Sequence, residues 1–128
     1  KSEALGTEKF WRDLKAYVWF SSFYRELSSF GPVMFLSAPS GASGCLSGKY
    51  QWLQDHFGAN FSEYIFTTHK DRLAHEKAIL IDDMPFNISA FKARGGKAVL
   101  FPRVWNKLHS IHEPTEYVLA SIKRVINE

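Results

Sequence analysis

Short apolar runs alternate with segments of helical periodicity along most of the chain, and this alternation is the strongest constraint on the fold. The first run, residues 33–36, lacks the apolar–polar alternation of a strand that faces water on one side, so we expect a strand that is buried on both faces. Residues 78–81 are likewise expected to form a buried strand. Strands that alternate with helices predict an α/β fold, a Rossmann-like parallel sheet with helices on both faces. The four predicted strands are residues 33–36, 64–68, 78–81 and 97–101.

The predicted helices lie between these strands and at both ends of the chain. Residues 1–30 have apolar residues at roughly helical spacing, and Gly31 with Pro32 stops that region. Residues 37–44 are predicted to form a loop because small and turn-forming residues dominate them. The remaining predicted helices are residues 49–57, 85–93 and 114–126, the last with an inner face of Val118, Leu119, Ile122, Val125 and Ile126.

Length and composition restrict the class of protein. A chain of 128 residues that is 45% hydrophobic predicts one domain over residues 1–128. The net charge of +3 comes from scattered basic residues, so a nucleic-acid-binding patch is not expected. Cys45 is the single cysteine, which excludes an intrachain disulfide and fits a reducing compartment, the cytoplasm. No apolar run approaches the roughly 18 residues of a membrane span, so no membrane partner is expected.

Two predicted strands end in polar residues, and ligands of parallel sheets bind at the carboxyl ends of strands. The third strand ends in the adjacent carboxylates Asp82 and Asp83. Such a pair is costly to bury unless a cation or hydrogen bonds compensate. Because Mg²⁺ prefers carboxylate and water oxygens, the pair could form a magnesium site. The alternative is a loop-capping pair, with Asp83 starting a turn before Pro85.

The first predicted strand is followed by Ser37, and two lysines lie before the acidic pair. A hydroxyl at a strand end, followed by small residues, is well placed to bind phosphate together with backbone N–H groups. Ordinary turn chemistry is the alternative for Ser37. Lys70 or Lys77 could neutralise the charge of a phosphoryl group. The alternative for each lysine is a solvated side chain.

Together these segments resemble three of the four motifs of haloacid-dehalogenase (HAD)-like phosphatases. That family carries an Asp-x-Asp, a Ser or Thr, a Lys and an acidic pair at four strand ends. Residues 35–39, with Ser37, look like the second motif. Residues 66–71, which end in Lys70 and Asp71, look like the third, and residues 79–85 look like the fourth.

Further stretches narrow the resemblance to the 5′(3′)-deoxyribonucleotidase group of this superfamily. Residues 10–14 resemble the segment after that group's small cap, and residues 48–58 resemble its helix after the second motif. The acidic pair followed by Asn87 and by Leu100 with Phe101 resembles its fourth motif and last strand. The similarity covers roughly residues 10–106.

The resemblance implies a role for each matching residue. Ser37 would bind the substrate phosphate, and Lys70, preferred to Lys77, would hold the phosphate and the nucleophilic carboxylate. Asp82 would bind Mg²⁺, and Asp83 would be a second acid of the metal site with a catalytic role. The implied activity is Mg²⁺-dependent hydrolysis of nucleoside monophosphates, small-molecule phosphomonoesters, through an aspartyl-phosphate. A phosphatase for another small phosphoester would share all of these motifs.

The sequence departs from the family at the first motif. Before Phe10 there are only residues 1–9, which contain no Asp-x-Asp, and Asp13 lies in a helical context. We therefore expect a chain truncated from a longer protein, without the first central strand of the sheet and without activity of its own. Exposed sheet edges then predict a homo-oligomer or a rearranged sheet. The alternative is a non-catalytic HAD-like remnant that binds phosphate or a protein partner.

Two further signals are set aside. Residues 44–49 suggest a phosphate-binding loop of the Walker A type, but the first required glycine is replaced by Ser43 and the required hydroxyl by Tyr50. Cys45 is predicted to lie in a flexible loop with nothing nearby to activate its thiol.

Overall fold

The computed structural model describes residues 19–38 and 43–128. Within these ranges the chain alternates helices and short strands, as the sequence predicts. Of the predicted helical region, residues 1–30, the structure describes residues 19–30, and residues 20–28 are helical. The described elements are α1 (Phe20–Ser28), β1 (Phe35–Ser37), α2 (Ser43–Phe57), β2 (Tyr64–Phe66), a 3₁₀ helix (Lys70–Leu73), β3 (Ile79–Asp82), α3 (Pro85–Ala93), β4 (Lys97–Leu100) and α4 (Pro114–Ile126).

All four described strands pair in parallel, which confirms a mixed α/β chain with parallel strands. β1 pairs with β2, so that Ser37 lies opposite Phe66. β3 pairs with β4, so that Asp82 lies opposite Leu100. Among the described strands these pairs form two two-stranded sheets. An arrangement of one sheet between two helical layers remains a prediction.

The chain divides into two compact units. Among the described residues, the first unit comprises residues 19–21, 31–38 and 43–68, and the second comprises residues 22–30 and 69–128. β1, α2 and β2 belong to the first unit, whereas β3, α3, β4 and α4 belong to the second. A single domain over the whole chain remains a prediction.

Half-buried aromatic rings pack against one another in the first unit. The ring of Phe57 stacks on that of Phe61 at 4.5 Å between centroids and lies 5.2 Å from that of Phe35. Phe20 packs edge-on against Trp52 at 5.7 Å. Such ring pairs add to the free energy gained by burial itself.

Two expectations for the first unit are wrong. Cys45 does not lie in a loop: it is wholly buried in the first turn of α2, which begins at Ser43. A free cysteine behaves as a small hydrophobic residue, and here its burial anchors the start of the helix. β1 is half-buried at every position rather than buried on both faces. β2 is half-buried at every position as well.

The second unit has an apolar core between its strands and its two longest helices. α3 and α4 both carry proline in their first turn, where the missing N–H costs no hydrogen bond, and both have the predicted boundaries. The buried apolar side chains are Leu80, Phe91, Ala98, Val99, Val118 and Ile122, together with Phe23 of α1.

The predicted inner face of α4 is partly wrong. Val118 and Ile122 are buried as expected, but Ser121 is buried beside them and Ile126 is exposed. The hydroxyl of Ser121 donates to the carbonyl of Tyr117 at 2.8 Å, so its burial leaves no unpaired donor. Ile126 is the last residue of the helix, where the helix leaves the core. In the described part of the chain, no helix is both long enough and apolar enough to cross a membrane.

Candidate functional site

The carboxylate of Asp82, the last residue of β3, is held from several sides. Its Oδ2 accepts a hydrogen bond from Lys70 Nζ at 2.7 Å and a longer one from Asn87 Nδ2 at 3.3 Å. Its Oδ1 accepts the backbone N–H of Met84 at 2.9 Å. The side chain is only 3% exposed. We call residues 82–84 the acid loop.

The 3₁₀ helix places Lys70 beside the acid loop. Its first turn is closed by the Arg72 N–H, which donates to the His69 carbonyl at 3.0 Å. Asp71 accepts a hydrogen bond from Arg94 Nε at 2.8 Å, and this ion pair ties the 3₁₀ helix to the residue after α3. The side chain of Lys70 is 15% exposed, whereas Lys77 is exposed on the turn before β3. The lysine that reaches Asp82 is thus the one preferred from the sequence.

The two carboxylates of the acid loop have opposite pKa shifts. Burial by itself raises the pKa of Asp82, but the hydrogen bonds from Lys70 and from the Met84 N–H, with the charge of Lys70, outweigh it and hold that pKa below its usual range. Burial and the negative charge of Asp82 raise the pKa of Asp83. Asp82 is therefore a carboxylate at neutral pH, while Asp83 takes up a proton more readily than an ordinary aspartate.

In the first unit, Ser37 forms a second polar pair. Its Oγ accepts a hydrogen bond from Lys49 Nζ at 2.8 Å, and the same ammonium donates to the Ala38 carbonyl at 3.2 Å. The Thr67 N–H donates to the Ser37 carbonyl at 2.9 Å, which extends the β1–β2 pairing by one hydrogen bond and fixes the serine backbone. Because Oγ accepts from the ammonium, the hydroxyl proton can be donated to an anion.

The acid loop fits Mg²⁺ in the kind of donor atom it offers. Asp82 and Asp83 supply adjacent carboxylate oxygens, and Mg²⁺ is usually held by one or two carboxylates with waters and substrate phosphate. Within the described residues, no cluster of three or more His, Cys, Asp or Glu side chains could enclose a metal by itself. Any cation here would thus depend on waters and on other oxygen ligands, and it would share Asp82 with Lys70.

One donor in each unit had no role assigned to it from the sequence: Lys49, which donates to Ser37 in the first unit, and Asn87, which donates to Asp82 in the second. Lys49 begins a predicted helix, belongs to the stretch 48–58 that resembles the family, and belongs to a failed Walker A motif, but none of these predicts a contact with Ser37. The signal that could have found it is its place in the second turn of α2, where it is the sole Lys or Arg of that helix. Asn87 was part of the resemblance, and its position five residues after Asp82, in the first turn of α3, explains its reach back to the carboxylate.

Comparison with known proteins tests the resemblance directly. No curated protein and no solved structure matches the chain. A family model described as "5' nucleotidase, deoxy (Pyrimidine), cytosolic type C protein" matches residues 4–121. The match spans most of the chain, includes both polar pairs, and confirms the resemblance. The chain therefore belongs to this family of HAD-like 5′-deoxyribonucleotidases.

Proposed function

We propose that the protein to which this sequence belongs is a Mg²⁺-dependent phosphatase of nucleoside monophosphates. The observation that carries the proposal is the buried Lys70–Asp82 pair, followed directly by Asp83, at the carboxyl end of a parallel strand pair. Parallel sheets bind their ligands at this end of the strands. Membership of a nucleotidase family supports phosphomonoester hydrolysis as the reaction and a nucleotide as the substrate.

In this proposal the acid loop holds the cation. Asp82 and Asp83 would bind Mg²⁺, which when bound supplies positive charge that offsets the charge of the phosphoryl group. The lowered pKa of Asp82 keeps it ionised as a ligand at neutral pH. The Lys70 ammonium fixes the orientation of that carboxylate and adds a second positive charge close to it.

Ser37 and Lys49 support phosphate binding in the first unit. A phosphate oxygen would accept the Ser37 hydroxyl proton, and the Lys49 ammonium, 2.8 Å from Ser37 Oγ, would contribute its charge to the same anion. The Lys49 side chain is half-buried, which strengthens its attraction for an anion relative to a fully solvated lysine.

The chemical step that we propose for the complete enzyme forms an aspartyl-phosphate. An aspartate attacks phosphorus, the P–O bond to the nucleoside breaks, and the oxygen of the leaving nucleoside takes up a proton. Water then hydrolyses the acyl phosphate, which releases inorganic phosphate and restores the aspartate. The nucleophile would come from an Asp-x-Asp motif, and none of the aspartates in this sequence forms one. We therefore expect the 128 residues by themselves to bind the nucleotide without releasing phosphate.

Binding and turnover of thymidine monophosphate by this chain test the proposal. We expect binding that strengthens with Mg²⁺, that weakens in Asp82→Asn, and that is unchanged in Asp55→Asn, the same substitution at an exposed position of α2. We expect no phosphate release. A nucleotide affinity that changes neither with Mg²⁺ nor in Asp82→Asn would contradict the proposed metal site. Mg²⁺-dependent release that Asp82→Asn abolishes would contradict the expected inactivity.

A non-catalytic binding protein is the second candidate, because the Ser37–Lys49 pair could bind a phosphate group without any chemical step. The coding sequence upstream of Lys1 separates the two candidates. An open frame that encodes a strand ending in Asp-x-Asp would favour the phosphatase, and that longer protein should release phosphate in a panel of phosphoesters with Mg²⁺. A translation start codon immediately before the codon of Lys1 would favour the binding protein.

A further inference from the structure

The loop after β4 contains a buried asparagine that uses its whole hydrogen-bonding capacity. Asn106 is 6% exposed. Its Nδ2 donates to the Phe101 carbonyl at 2.9 Å and to the Asp83 carbonyl at 3.0 Å. Its Oδ1 accepts the N–H of Leu108 at 3.0 Å and that of Arg103 at 3.4 Å. A side-chain amide can donate twice and accept twice through its lone pairs, so every site is in use.

Three of the four hydrogen bonds of Asn106 stay within the segment after β4. They join Asn106 to Phe101, Arg103 and Leu108, and they close this loop upon itself. The bond to the Asp83 carbonyl reaches across to the acid loop, 23 residues away in the chain. It acts next to the point where the β3–β4 ladder ends, since the Phe101 N–H donates to the Asp82 carbonyl at 2.8 Å. Asn106 therefore joins the carboxyl ends of two paired strands.

The peptide group between Asp83 and Met84 passes this restraint on to the Asp82 carboxylate. Its carbonyl accepts from Asn106 Nδ2 at 3.0 Å, and its N–H donates to Asp82 Oδ1 at 2.9 Å. A peptide group is planar, so fixing the carbonyl direction also fixes the N–H direction. The orientation of one oxygen of Asp82 thus depends on an asparagine that does not touch it.

We propose that Asn106 is a positioning residue that sets the Asp82 carboxylate for cation binding through the Asp83–Met84 peptide. This rests on the proposed function for the metal, but the mechanical link from Asn106 to Met84 does not. Removing the Nδ2 donors leaves the Asp83 carbonyl without its partner, frees the peptide to rotate, and loosens the N–H that holds Asp82. Groups that orient metal ligands typically change metal affinity by about 10–100-fold when they are removed.

Asn106→Asp tests the donor bonds while retaining an oxygen where Oδ1 accepts from the loop. Amide hydrogen exchange by NMR reports on the Met84 N–H without any metal, with the Val99 amide of β4 as an internal reference for global opening. We expect Met84 exchange to accelerate by about tenfold more than that of Val99, the effect of losing about 1.4 kcal/mol of local hydrogen bonding. We also expect Mg²⁺, followed through the acid-loop amide shifts, to bind about tenfold more weakly, although the substitution adds negative charge.

Ser121→Ala is the matched control, because Ser121 is a buried polar residue of the same unit whose hydroxyl bonds to Tyr117 and Arg124, both within α4. It should change neither Met84 exchange relative to Val99 nor the Mg²⁺ affinity. Asn106→Ala removes donors and acceptors together and serves if the aspartate variant does not fold. In the unaltered chain, the Asn106 side-chain NH₂ signals should shift with Mg²⁺ at the same midpoint as the Met84 amide.

The outcomes separate the two proposals. One outcome is that Mg²⁺ changes the acid-loop amide chemical shifts of the unaltered chain, while Met84 exchange stays unchanged in the Asn106 variants. This would overturn the role of Asn106 and leave the proposed metal site intact. Equal acceleration in Ser121→Ala would also overturn it, since the effect would then be global. An unaltered chain whose acid-loop amides ignore Mg²⁺ would overturn the proposed metal site and, with it, the consequence of Asn106 for cation binding.

Discussion

At the scale of the residue, Asp82 shows how a buried carboxylate is kept ionised. Three donors reach it, and the strongest is the Lys70 ammonium at 2.7 Å. Each donor alone compensates only part of the cost of removing a charge from water. Together they hold the pKa of Asp82 below its usual range despite the burial that raises it. The residue is thus ionised at neutral pH, as the proposed role of metal ligand requires.

Replacing Lys70 by methionine tests this balance. The stem of the side chain is kept, but the Asp82 carboxylate loses its charged partner in a site that is 3% exposed. We expect the free energy of unfolding at pH 7 to fall by about 3 kcal/mol, as for other buried pairs that lose one partner. Urea unfolding followed by circular dichroism measures the loss.

Lys77→Met is the control for this prediction, because it removes the same charge from an exposed position seven residues further along the chain. We expect its effect to stay within about 0.5 kcal/mol. Equal losses in the two variants would mean that Lys70 acts only through the net charge of the protein.

At the scale of the element, boundaries were predictable where local chemistry marks them. α3 and α4 begin at a proline that cannot continue a preceding helix, and each has its predicted first and last residue. α2 begins six residues before the predicted start at Lys49. Its first turns contain Gly44 and Gly48, which favour a loop by propensity, and the burial of Cys45 and Gly48 overrides that preference.

The connection from α3 to β4 depends on a glycine for space rather than for backbone freedom. A Cβ on Gly96 would overlap the ring of Phe91 and lie 3.1 Å from the Cβ of Ala74. We expect Gly96→Ala to lower the free energy of unfolding by about 1–3 kcal/mol through overpacking. In the double variant with Phe91→Leu, the loss should be smaller than the sum of the single losses by about 0.5–3 kcal/mol. Urea unfolding of the four proteins measures this coupling.

Gly95→Ala is the control for this coupling. Gly95 has a φ of 93° and nothing within 4 Å of an added Cβ, so alanine there is strained by the backbone alone. Phe91→Leu should not relieve that strain. Additive losses for Gly96→Ala and Phe91→Leu would show that the ring moves aside without cost.

At the scale of the whole molecule, the edges of the two described strand pairs bear on whether copies of the protein associate. Each described sheet has two strands, and in the described residues no third strand extends either sheet. Open edges with unpaired backbone groups are templates for association. Homo-oligomerisation, which is expected from the sequence, stays a prediction.

Sedimentation velocity at several protein concentrations tests that prediction. We expect self-association that increases with concentration, because backbone groups at the strand edges pair between copies. Val104→Glu serves as the control, since Val104 is 82% exposed in the loop after β4 and its substitution removes apolar surface without touching a strand. Association should persist in this variant. A monomer at every concentration would contradict the prediction, and loss of association in Val104→Glu would assign it to apolar surface instead of strand edges.

The sequence by itself determined the features that depend on neighbours along the chain. Local periodicity set the alternation of strands and helices, proline and glycine set the ends of α3, and strand ends placed Ser37, Asp82 and Asp83. The motifs that resembled deoxyribonucleotidases were local as well, and the family match confirms the resemblance, whereas the roles of the single residues stay predictions.

Only the tertiary structure decided which groups meet. Lys70 lies 12 residues from Asp82 in the chain, Lys49 lies 12 from Ser37, and Asn106 lies 23 from Asp83. The pairing of the strands into two sheets and the burial of Cys45 were likewise settled by packing. Such contacts depend on how whole elements lie against one another, and side-chain spacing within one element carries no information about that.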